Sequence, residues 1–503
     1  MRLFVGLGLF ITVWAQAQIE RPIKWACIGN SITQGPSATT AYPAKLQNLL
    51  GPGYIVENDG VSGRTLLKKG DHSYWTEGKL PEVFAFKPDI ISIKLGTNDS
   101  KPANWAYKDE FETDLIALID TLAAMPSKPK IWLVIPCPAF AVPDPTGPYD
   151  IRGGVIKNEI IPIIKKVAAA KGLNTIDVYT PMLAHPEMFA DKVHPNTAGH
   201  DTIAAIFFQT YLAKSTRIAC IGNSITEYAY GVAGTVPKDA YPIRVNMMFG
   251  RDHWVENDGK SGAYMMKTGG GNPYWSTGLL DRVIRLKPNI ITIKLGTNDS
   301  RQQYWNKDRY MTDYRSMIDT LIKMINPKPR ILMCLPAPAW KRSGVWPFDG
   351  ISEDMITGEV IPAIQQVAKE KGLEIIDLHT PMLSKESLVP DGVHPNAEGQ
   401  DTLAHIIFRA LIPPVVAVSP IGPLIPAYPE IDIQGNMLYV ALPNAGGGSV
   451  KLYALDGRLA VSASLKSEEK STLSLEGLAP GQYFLSIETR SGQAVKNLFL
   501  NTR

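Results

Sequence analysis

Residues 23–33 of the chain, IKWACIGNSIT, return almost unchanged at residues 216–226 as TRIACIGNSIT. In both copies an apolar run leads into a tight Gly-Asn-Ser turn. An apolar run of this length, bounded by a glycine turn, is typical of a strand that is buried on both faces. We therefore predict a strand at Lys24–Ile28, with Ser31 and Ser224 exposed just beyond the first strand of each copy.

Two further blocks recur later in each copy. Residues 96–99, GTND, return at 296–299, and residues 191–195, DKVHP, return at 391–395 as DGVHP. Between the blocks, β-rich runs alternate with helical periodicity, which predicts a parallel sheet covered by helices on both faces. The ligand sites of such folds lie at the carboxyl ends of the strands, where all the recurring blocks are expected. In the first copy the predicted strands are Lys24–Ile28, Tyr54–Glu57, Asp89–Lys94 and Lys130–Ile135, and the predicted helices are Asp109–Leu122 and Val155–Ala170.

The composition describes a soluble protein of several domains. The chain has 503 residues, of which 45% are hydrophobic and 20% charged, and its formal net charge is +3. The length exceeds one ordinary core, and the small net charge argues against nucleic acid as a partner. We expect a signal peptide at 1–17, two α/β domains at 18–213 and 214–412, a Pro-rich linker at 413–429 and a β-rich module at 430–503.

The N-terminus has the form of a secretory signal peptide. Arg2 precedes an apolar run from Leu3 to Trp14, and Ala15-Gln16-Ala17 matches an A-x-A cleavage site. The alternative, a membrane anchor, needs about 20 apolar residues, more than this run supplies. We therefore expect an exported chain without stable insertion in a membrane.

Export favours disulfide bonds, but the four cysteines have a different pattern. Cys27 and Cys220 occupy the same position in the two copies, and Cys137 and Cys334 lie on a later strand of each. We expect four small buried hydrophobic side chains. A bridge within each repeat stays open as the alternative.

The recurring blocks supply a nucleophile, a base and a group that orients the base. A serine at this turn is alternatively the cap of the helix that follows, and Asp and His are also metal ligands. The recurrence of all three residues favours catalysis, and no third metal ligand stands at a suitable spacing. The candidates are Ser31, Asp191 and His194 in the first copy, and Ser224, Asp391 and His394 in the second.

The GTND block adds an amide at the carboxyl end of a strand. The side chain of Asn98 is suited to donate to a developing oxyanion, although it is alternatively the residue that holds its own turn. Asp99 fits a turn-fixing role better than a catalytic one. Gly63 is a candidate for a further backbone N–H donor to the same oxyanion.

Together these blocks resemble those of the SGNH/GDSL hydrolase superfamily of esterases and lipases. The resemblance implies that the serine is the nucleophile, that its N–H, the glycine and the asparagine form the oxyanion hole, and that Asp191 and Asp391 orient the histidines. It also implies a three-layer α/β/α, flavodoxin-like domain with a parallel sheet in each repeat, and no metal or cofactor. Asn30 and Asn223 replace the Asp of the usual GDS block. The four name-giving residues are Ser31, Gly63, Asn98 and His194, and in the second copy Ser224, Gly262, Asn298 and His394.

The pattern changes after the Pro-rich linker. Short alternating runs predict a small all-β sandwich. This module resembles type IX secretion sorting domains at Val450–Tyr453, at Asp456-Gly457-Arg458 and at Leu478–Tyr483, which implies the secretion machinery as a partner. A carbohydrate-binding module is the alternative. The predicted strands are Met437–Ala441, Ser449–Ala454, Ser471–Leu475 and Tyr483–Glu488.

Aromatic side chains near the recurring blocks bear on the substrate. Flat aromatics suit the C–H faces of sugar rings, although burial in the core is the alternative. The blocks also resemble those of bacterial carbohydrate acetylesterases of the sialate and acetylxylan type, which implies removal of O-acetyl groups from complex glycans. The aromatic candidates are Tyr74, Trp75, Trp105, Tyr274, Trp275 and Trp305.

Three alternatives stay open at this point. The first alternative is a short-chain lipase and the second is a thioesterase. The third is that one of the repeats is a degenerate glycan-binding domain. The second copy has six extra residues within Glu227–Lys238. Insertions of this kind concentrate in surface loops, so we expect the two sites to differ in substrate preference and not in reaction.

Overall fold

The computed structural model describes residues 21–140, 150–228, 237–269, 271–341 and 350–412, and strand segments between 430 and 500. The chain divides into two compact units, Met1–Phe408 and Arg409–Arg503. The first unit holds both repeats. The expected signal peptide and Pro-rich linker lie outside the described residues.

The first repeat is a parallel sheet of five strands in the order β2-β1-β3-β4-β5. The four predicted strands are confirmed, and the short fifth strand was not predicted. The strands are β1 Ile23–Gly29, β2 Tyr54–Gly60, β3 Ile90–Lys94, β4 Lys130–Ile135 and β5 Asn174–Asp177. The helices are Ser31–Gln34, Tyr42–Leu50, Lys79–Phe86, Pro102–Trp105, Phe111–Ala123, Gly153–Val155, Ile161–Lys171, Tyr179–Met182 and Thr197–Lys214, with a π-helical turn at Ile156–Ile160.

The second repeat has the same topology, with the parallel order β7-β6-β8-β9-β10. Its strands are β6 Thr216–Gly222, β7 His253–Gly259, β8 Ile290–Lys294, β9 Arg330–Leu335 and β10 Glu374–Asp377. Its helices are Ser224–Glu227, Tyr241–Phe249, Leu279–Leu286, Lys307–Met324, Glu353–Met355, Ile361–Lys371 and Ala397–Leu411, with a π-helical turn at Ile356–Val360.

Both faces of each sheet are covered. In β1, Trp25 and Cys27 belong to the core on one face, and Ala26 and Ile28 to the core on the other. Alternation along a strand sends successive side chains to opposite faces, so two apolar faces require a layer of helices on each side. The three-layer α/β/α architecture predicted for each repeat is confirmed.

The two repeats contact each other away from the first nucleophile turn. Ser215 alone separates the helix Thr197–Lys214 from β6. Tyr54, the first residue of β2, donates its hydroxyl to the backbone carbonyl of His253 at 3.5 Å. Lys130, the first residue of β4, pairs with Asp252 at 2.7 Å. On the first repeat these contacts lie at the amino ends of the strands, whereas Ser31 follows a carboxyl end.

The second unit is the predicted β-sandwich. Two antiparallel sheets, in the orders β11-β12-β15 and β14-β13-β16-β17, share one apolar core. Leu438 and Leu473 enter this core from the first sheet, and Val450 and Leu485 from the second. The strands are β11 Glu430–Gln434, β12 Met437–Ala441, β13 Gly448–Ala454, β14 Leu459–Leu465, β15 Ser471–Ser474, β16 Gly481–Thr489 and β17 Gly492–Leu500.

Candidate active sites

In the first repeat the predicted serine, histidine and aspartate form one chain of hydrogen bonds. Ser31 Oγ lies 2.8 Å from His194 Nε2, and His194 Nδ1 lies 2.6 Å from Asp191 Oδ2. Asp191 Oδ1 accepts the backbone N–H groups of Val193 at 2.9 Å and His194 at 2.6 Å. One oxygen of the carboxylate therefore binds the ring and the other fixes the turn that carries the ring.

The second repeat repeats this geometry. Ser224 Oγ lies 2.7 Å from His394 Nε2, and His394 Nδ1 lies 2.8 Å from Asp391 Oδ2. Asp391 Oδ1 accepts the N–H groups of Val393 at 2.8 Å and His394 at 2.6 Å. The spacing of Asp and His, three positions apart, thus produces the same two-sided contact in both repeats.

The turn geometry keeps both aspartates ionised. Burial raises the pKa of Asp191. The backbone N–H and ring of His194 and the N–H of Val193 have the larger, opposite effect, so the pKa lies below its ordinary value. Burial also raises the pKa of Asp391, and the ring and N–H of His394 again bring it below the ordinary value. A carboxylate that is charged at neutral pH orients an imidazole and stabilises its protonated form.

The nucleophile turn depends on its first two residues. A Cβ added at Gly29 would lie 2.0 Å from Thr33 Oγ1, so only glycine lets the strand approach the helix this closely. The helix Ser31–Gln34 is capped by Asn30, whose Oδ1 accepts the N–H of Ile32 at 3.2 Å. The alternative that Ser31 is the helix cap is therefore wrong, and its hydroxyl is left to His194.

The asparagine and glycine blocks of each repeat are tied together. Asn98 Nδ2 donates to the carbonyl of Arg64 at 3.0 Å, next to Gly63, whose φ is +77°. Since an amide nitrogen carries two hydrogens, this bond leaves one to donate elsewhere. In the second repeat Asn298 Nδ2 donates to the carbonyl of Ala263 at 3.0 Å, beside Gly262 with a φ of +73°.

The aspartates of the two GTND blocks hold these loops from behind. Asp99 is fully buried and accepts the N–H of Leu67 at 2.8 Å. Asp299 accepts the N–H of Met265 at 3.0 Å. Burial raises the pKa of each to about 6, against the lowering effect of these backbone donors. Both carboxyl groups serve the loop and not the reacting ester.

The expected sugar platform is wrong for the two tyrosines. Tyr74 is 1% exposed and Tyr274 is 0% exposed. Each hydroxyl donates at 2.8 Å to a backbone carbonyl, that of Asp59 or Asp258. The area that an aromatic ring buries in the core outweighs what it gains at a wet site, so these side chains are structural.

The four tryptophans are committed to packing as well. The indole N–H groups of Trp75 and Trp275 donate to backbone carbonyls at 3.2 and 3.0 Å, and both residues pack against the apolar core. Trp105 packs edge-on to Phe111. Trp305 packs at a tilt against Tyr310, with ring centroids 5.0 Å apart.

Next to Asn298, the second repeat has a cluster that the sequence did not reveal. Arg301 Nη1 donates to Asn298 Oδ1 at 3.3 Å and to the hydroxyl of Tyr264 at 2.7 Å. The exposed ring of Tyr304 meets Tyr264 edge-on at 5.8 Å. These side chains lie close together only because of the loop path, so their spacing in the sequence gave no signal.

The first repeat has a different set at these positions. Lys101 Nζ donates to Asp71 Oδ2 at 3.2 Å instead of approaching Asn98. Asn104 Nδ2 donates to Asp71 Oδ1 at 3.0 Å and to the backbone carbonyl of Asn98 at 2.9 Å. In the first repeat the turn of Asn98 is thus held by the polar side chains of Asp71 and Asn104, without an aromatic ring.

The four cysteines are free and buried. The expectation of small buried side chains is confirmed, and a bridge within either repeat is wrong. In the part of the chain that the structure describes, no helix has the length and apolarity needed to span a membrane.

A parallel α/β sheet with serine, histidine and aspartate in a hydrogen-bonded series is an arrangement of serine hydrolases. Residues 27–202 and 220–402 each match the GDSL-like lipase/acylhydrolase family, and the chain belongs to this family. It is therefore homologous to carboxylic ester hydrolases. Residues 426–501 match the secretion system C-terminal sorting domain, which indicates export by the type IX route to the cell surface or beyond it.

Several characterised proteins are similar to parts of the chain. An acetylxylan esterase of Xylanibacter ruminicola is 44% identical over 209 residues, a match that covers 37% of this chain and 42% of that protein. The chain therefore spans less than half of that relative. An isoamyl acetate-hydrolyzing esterase 1 homolog of Rattus norvegicus is 27% identical over 37% of this chain and 78% of its own length. The crystal structure of an acetyl xylan esterase, AlAXEase, aligns with 37% of this chain and 98% of its own, at 24% identity and a TM-score of 0.31.

Proposed function

We propose that the chain is a secreted serine esterase with two active sites, which removes O-acetyl groups from carbohydrates through an acyl-enzyme. The observation that carries the proposal is the complete hydrogen-bonded series of serine, histidine and aspartate in each repeat. In this proposal a signal peptide occupies 1–17, hydrolase domains occupy 18–213 and 214–412, and a linker at 413–429 leads to the sorting module at 430–503.

The first step is attack by the serine. His194 Nε2 accepts the proton of Ser31, whose Oγ attacks the acetyl carbonyl. His194 then donates this proton to the leaving sugar oxygen, and the acetyl group stays on Ser31. Water then gives a proton to the same ring and attacks the acyl carbon. The bond from this carbon to Ser31 Oγ breaks, the ring returns the proton to Oγ, and acetate leaves. Ser224, His394 and Asp391 act in the same way in the second repeat.

The negative charge of each tetrahedral intermediate needs fixed donors. In the first site we assign this role to the N–H groups of Ser31 and Gly63 and to the remaining hydrogen of Asn98 Nδ2. The bond from Asn98 to the carbonyl of Arg64 supports this role, since it fixes the amide before substrate arrives. Gly262 and Asn298 correspond in the second site.

The choice of acetylated carbohydrate draws on different support. The relative that is 44% identical bears the name acetylxylan esterase. A sorting domain fits an enzyme that meets polymers outside the cell. The burial of Tyr74 and Tyr274 and the packing of the tryptophans weaken the argument from aromatic residues, so the proposal of a glycan substrate depends on these two observations.

The test uses Ser31→Ala, Ser224→Ala and the double variant, with acetate release from a panel of acetylated glycans as the readout. We expect each single variant to keep the activity of one site and the double variant to lose all of it. A single variant without any activity would contradict the two-site proposal. Faster turnover of octanoyl esters or acetyl-CoA than of acetylated sugars would contradict the substrate class.

A further inference from the structure

A lysine is buried at the end of the third strand of each repeat. Lys94 ends β3 and is 0% exposed, and Lys294 ends β8 and is 1% exposed. In the sheet register they lie beside Gly29 and Gly222, the glycines that open the two nucleophile turns. Neither lysine is used in the triads or in the oxyanion holes.

The second repeat shows what this lysine contacts. Lys294 Nζ donates to Asn223 Oδ1 at 3.4 Å, and the same oxygen accepts the N–H of Ile225 at 3.1 Å. The lysine therefore approaches the cap of the short helix that begins at Ser224. The N–H of Ser224 is one of the donors assigned to the oxyanion.

In the first repeat the lysine has the same place in the sheet, but its ammonium makes no hydrogen bond to the asparagine cap. Asn30 Oδ1 accepts the N–H of Ile32, and Lys94 occupies the matching place in the sheet. Among the described residues, Lys94 Nζ has no hydrogen-bond partner. Its charge acts on the thiol of Cys137 and on the ring of His200, which lie on the same face of the sheet.

Burying an ammonium without a carboxylate is costly, because the interior solvates the charge poorly. Among the described residues, no carboxylate is one of the groups that shift the pKa of either lysine. Burial lowers the pKa of both lysines, that of Lys294 to about 8. An apolar residue would avoid this cost, yet both copies carry lysine while nearby positions differ, such as His200 and Gln400.

We propose that Lys94 and Lys294 are positioning residues that place a positive charge behind the oxyanion donors, and that Lys294 also holds the asparagine of its nucleophile turn. A charge in the interior acts over several ångströms, because little water screens it. As negative charge develops on the carbonyl oxygen, the ammonium stabilises the transition state more than the neutral ester. The inference rests on the proposed esterase activity and deepens its mechanism.

The test isolates the second site with Ser31→Ala and then replaces Lys294 by methionine, which keeps the length of the side chain without its charge. We expect kcat to fall about 10- to 100-fold with KM nearly unchanged. The first site is tested in the same way with Lys94→Met in the Ser224→Ala background.

A pH profile separates this role from simple packing. With Lys294 present, kcat of the second site should fall above pH 8 as the ammonium loses its proton, and Lys294→Met should lack this fall. The other titratable groups on this face are Cys220, Cys334 and Tyr241. Burial raises the pKa of all three, that of Cys334 to about 12, so none of them titrates near pH 8.

The matched control is Thr292→Val, two positions earlier on the same strand face and equally buried. It should leave kcat within about 2-fold, in the range of an ordinary buried substitution that keeps the fold. The proposal is overturned if Lys294→Met keeps full kcat, if Thr292→Val lowers kcat as much, or if the Ser31→Ala enzyme shows no fall above pH 8. The last measurement needs no substitution at Lys294, so it decides even where the methionine variant does not fold. Absence of all esterase activity in the unmodified chain would instead refute the proposed function.

Discussion

The first and second repeats hold the same three side chains at nearly the same distances, in surroundings that differ in exposure. The side chain of His194 is 29% exposed and that of His394 is 12% exposed. The aspartates follow the same trend. The contact between aspartate and histidine in each triad comes from a short local turn, whereas the serine comes from 163 or 170 positions earlier in the chain.

The side chains that contact Asn98 and Asn298 also differ between the two repeats. Asn298 is met by a guanidinium and Asn98 is not, because Lys101 turns to Asp71 instead. The two copies therefore share the reacting groups and differ in the groups that position them. Under the proposed function, this difference predicts different substrate preferences for the two sites.

The two sites would differ most if Asp191 and Asp391 contributed unequally to kcat. Asp191→Asn and Asp391→Asn should each lower kcat of their own site about 10³- to 10⁴-fold, because the amide no longer holds the imidazole in its working tautomer. The measurement is acetate release with the other serine replaced by alanine. A small loss at one site only would show that this site works without its orienting carboxylate.

Replacing Arg301 is expected to change kcat by an intermediate amount. Arg301→Met should lower kcat of the second site about 10-fold, since Asn298 loses a donor that fixes its amide. Lys101→Met is the matched control and should change kcat of the first site by less than about 2-fold, because its partner Asp71 belongs to the loop. Equal losses at both sites would show that Arg301 acts only through general packing.

A third comparison concerns a buried acid in β2, Asp59, and its counterpart in β7, Asp258. Burial, together with the nearby Glu57, raises the pKa of Asp59 to about 7, and burial raises that of Asp258 to about 7 against the lowering effect of Arg282. An acid with a raised folded pKa stabilises the fold below its unfolded pKa, and this stability is lost as pH rises towards 7.

Asp59→Asn should therefore raise the midpoint of thermal unfolding at pH 8 by about 2 to 4 °C and leave it unchanged at pH 4. Asp258→Asn should also raise the midpoint at pH 8, because the pKa of about 7 already includes the attraction of Arg282, 2.7 Å away. Thermal unfolding at both pH values checks the pair. A lower midpoint for Asp258→Asn at pH 8 would show that the ion pair with Arg282 outweighs the cost of burying the carboxylate.

The smallest expected effect comes from His200 and its counterpart Gln400. His200 accepts the backbone N–H of Tyr42 at 3.2 Å, and Gln400 accepts that of Tyr241 at 2.9 Å. Each tyrosine is the first residue of the helix that follows the nucleophile turn of its repeat. Burial, and then the charge of Lys94, lowers the pKa of His200 to about 4. A histidine with a lowered folded pKa stabilises the fold above its unfolded pKa of about 6.5, and this stability is lost as the pH falls towards 4.

His200→Gln should thus reduce the loss of thermal stability between pH 7 and pH 4.5 by about 2 °C. Gln400→His should add a comparable loss to the second repeat. Unfolding midpoints at the two pH values provide the measurement. An unchanged pH dependence in both variants would place the acid sensitivity elsewhere in the chain.

The sequence was sufficient for the elements with a strong local pattern. β1, β3 and β4 are near-continuous apolar runs, and each was predicted within two residues. The strand Asn174–Asp177 was missed because four mixed residues carry no periodicity. The triad was predictable because its parts stand in short recurring blocks, and the hydrogen bonds of the structure join those parts.

Contacts between loops could not be predicted from the sequence. Tyr264 and Arg301 are 37 positions apart, and their contact depends on two loop paths that no pattern specifies. The two tyrosine candidates were wrong for a related reason, since a tyrosine such as Tyr74 has the same composition signal whether its ring lies in the core or at a site. Lys94 and Lys294 were visible as a repeated charge in an apolar strand, but only the structure shows that both are buried.

The contact between the repeats has a consequence for the first of the two proposed active sites. The first repeat meets the second at the amino ends of its strands, and Ser31 stands beyond the other end of β1, about 20 Å away for a seven-residue strand. The nucleophile turn of the first repeat is therefore remote from that interface. Under the proposed function, we expect the first site to accept its substrate without help from the second repeat.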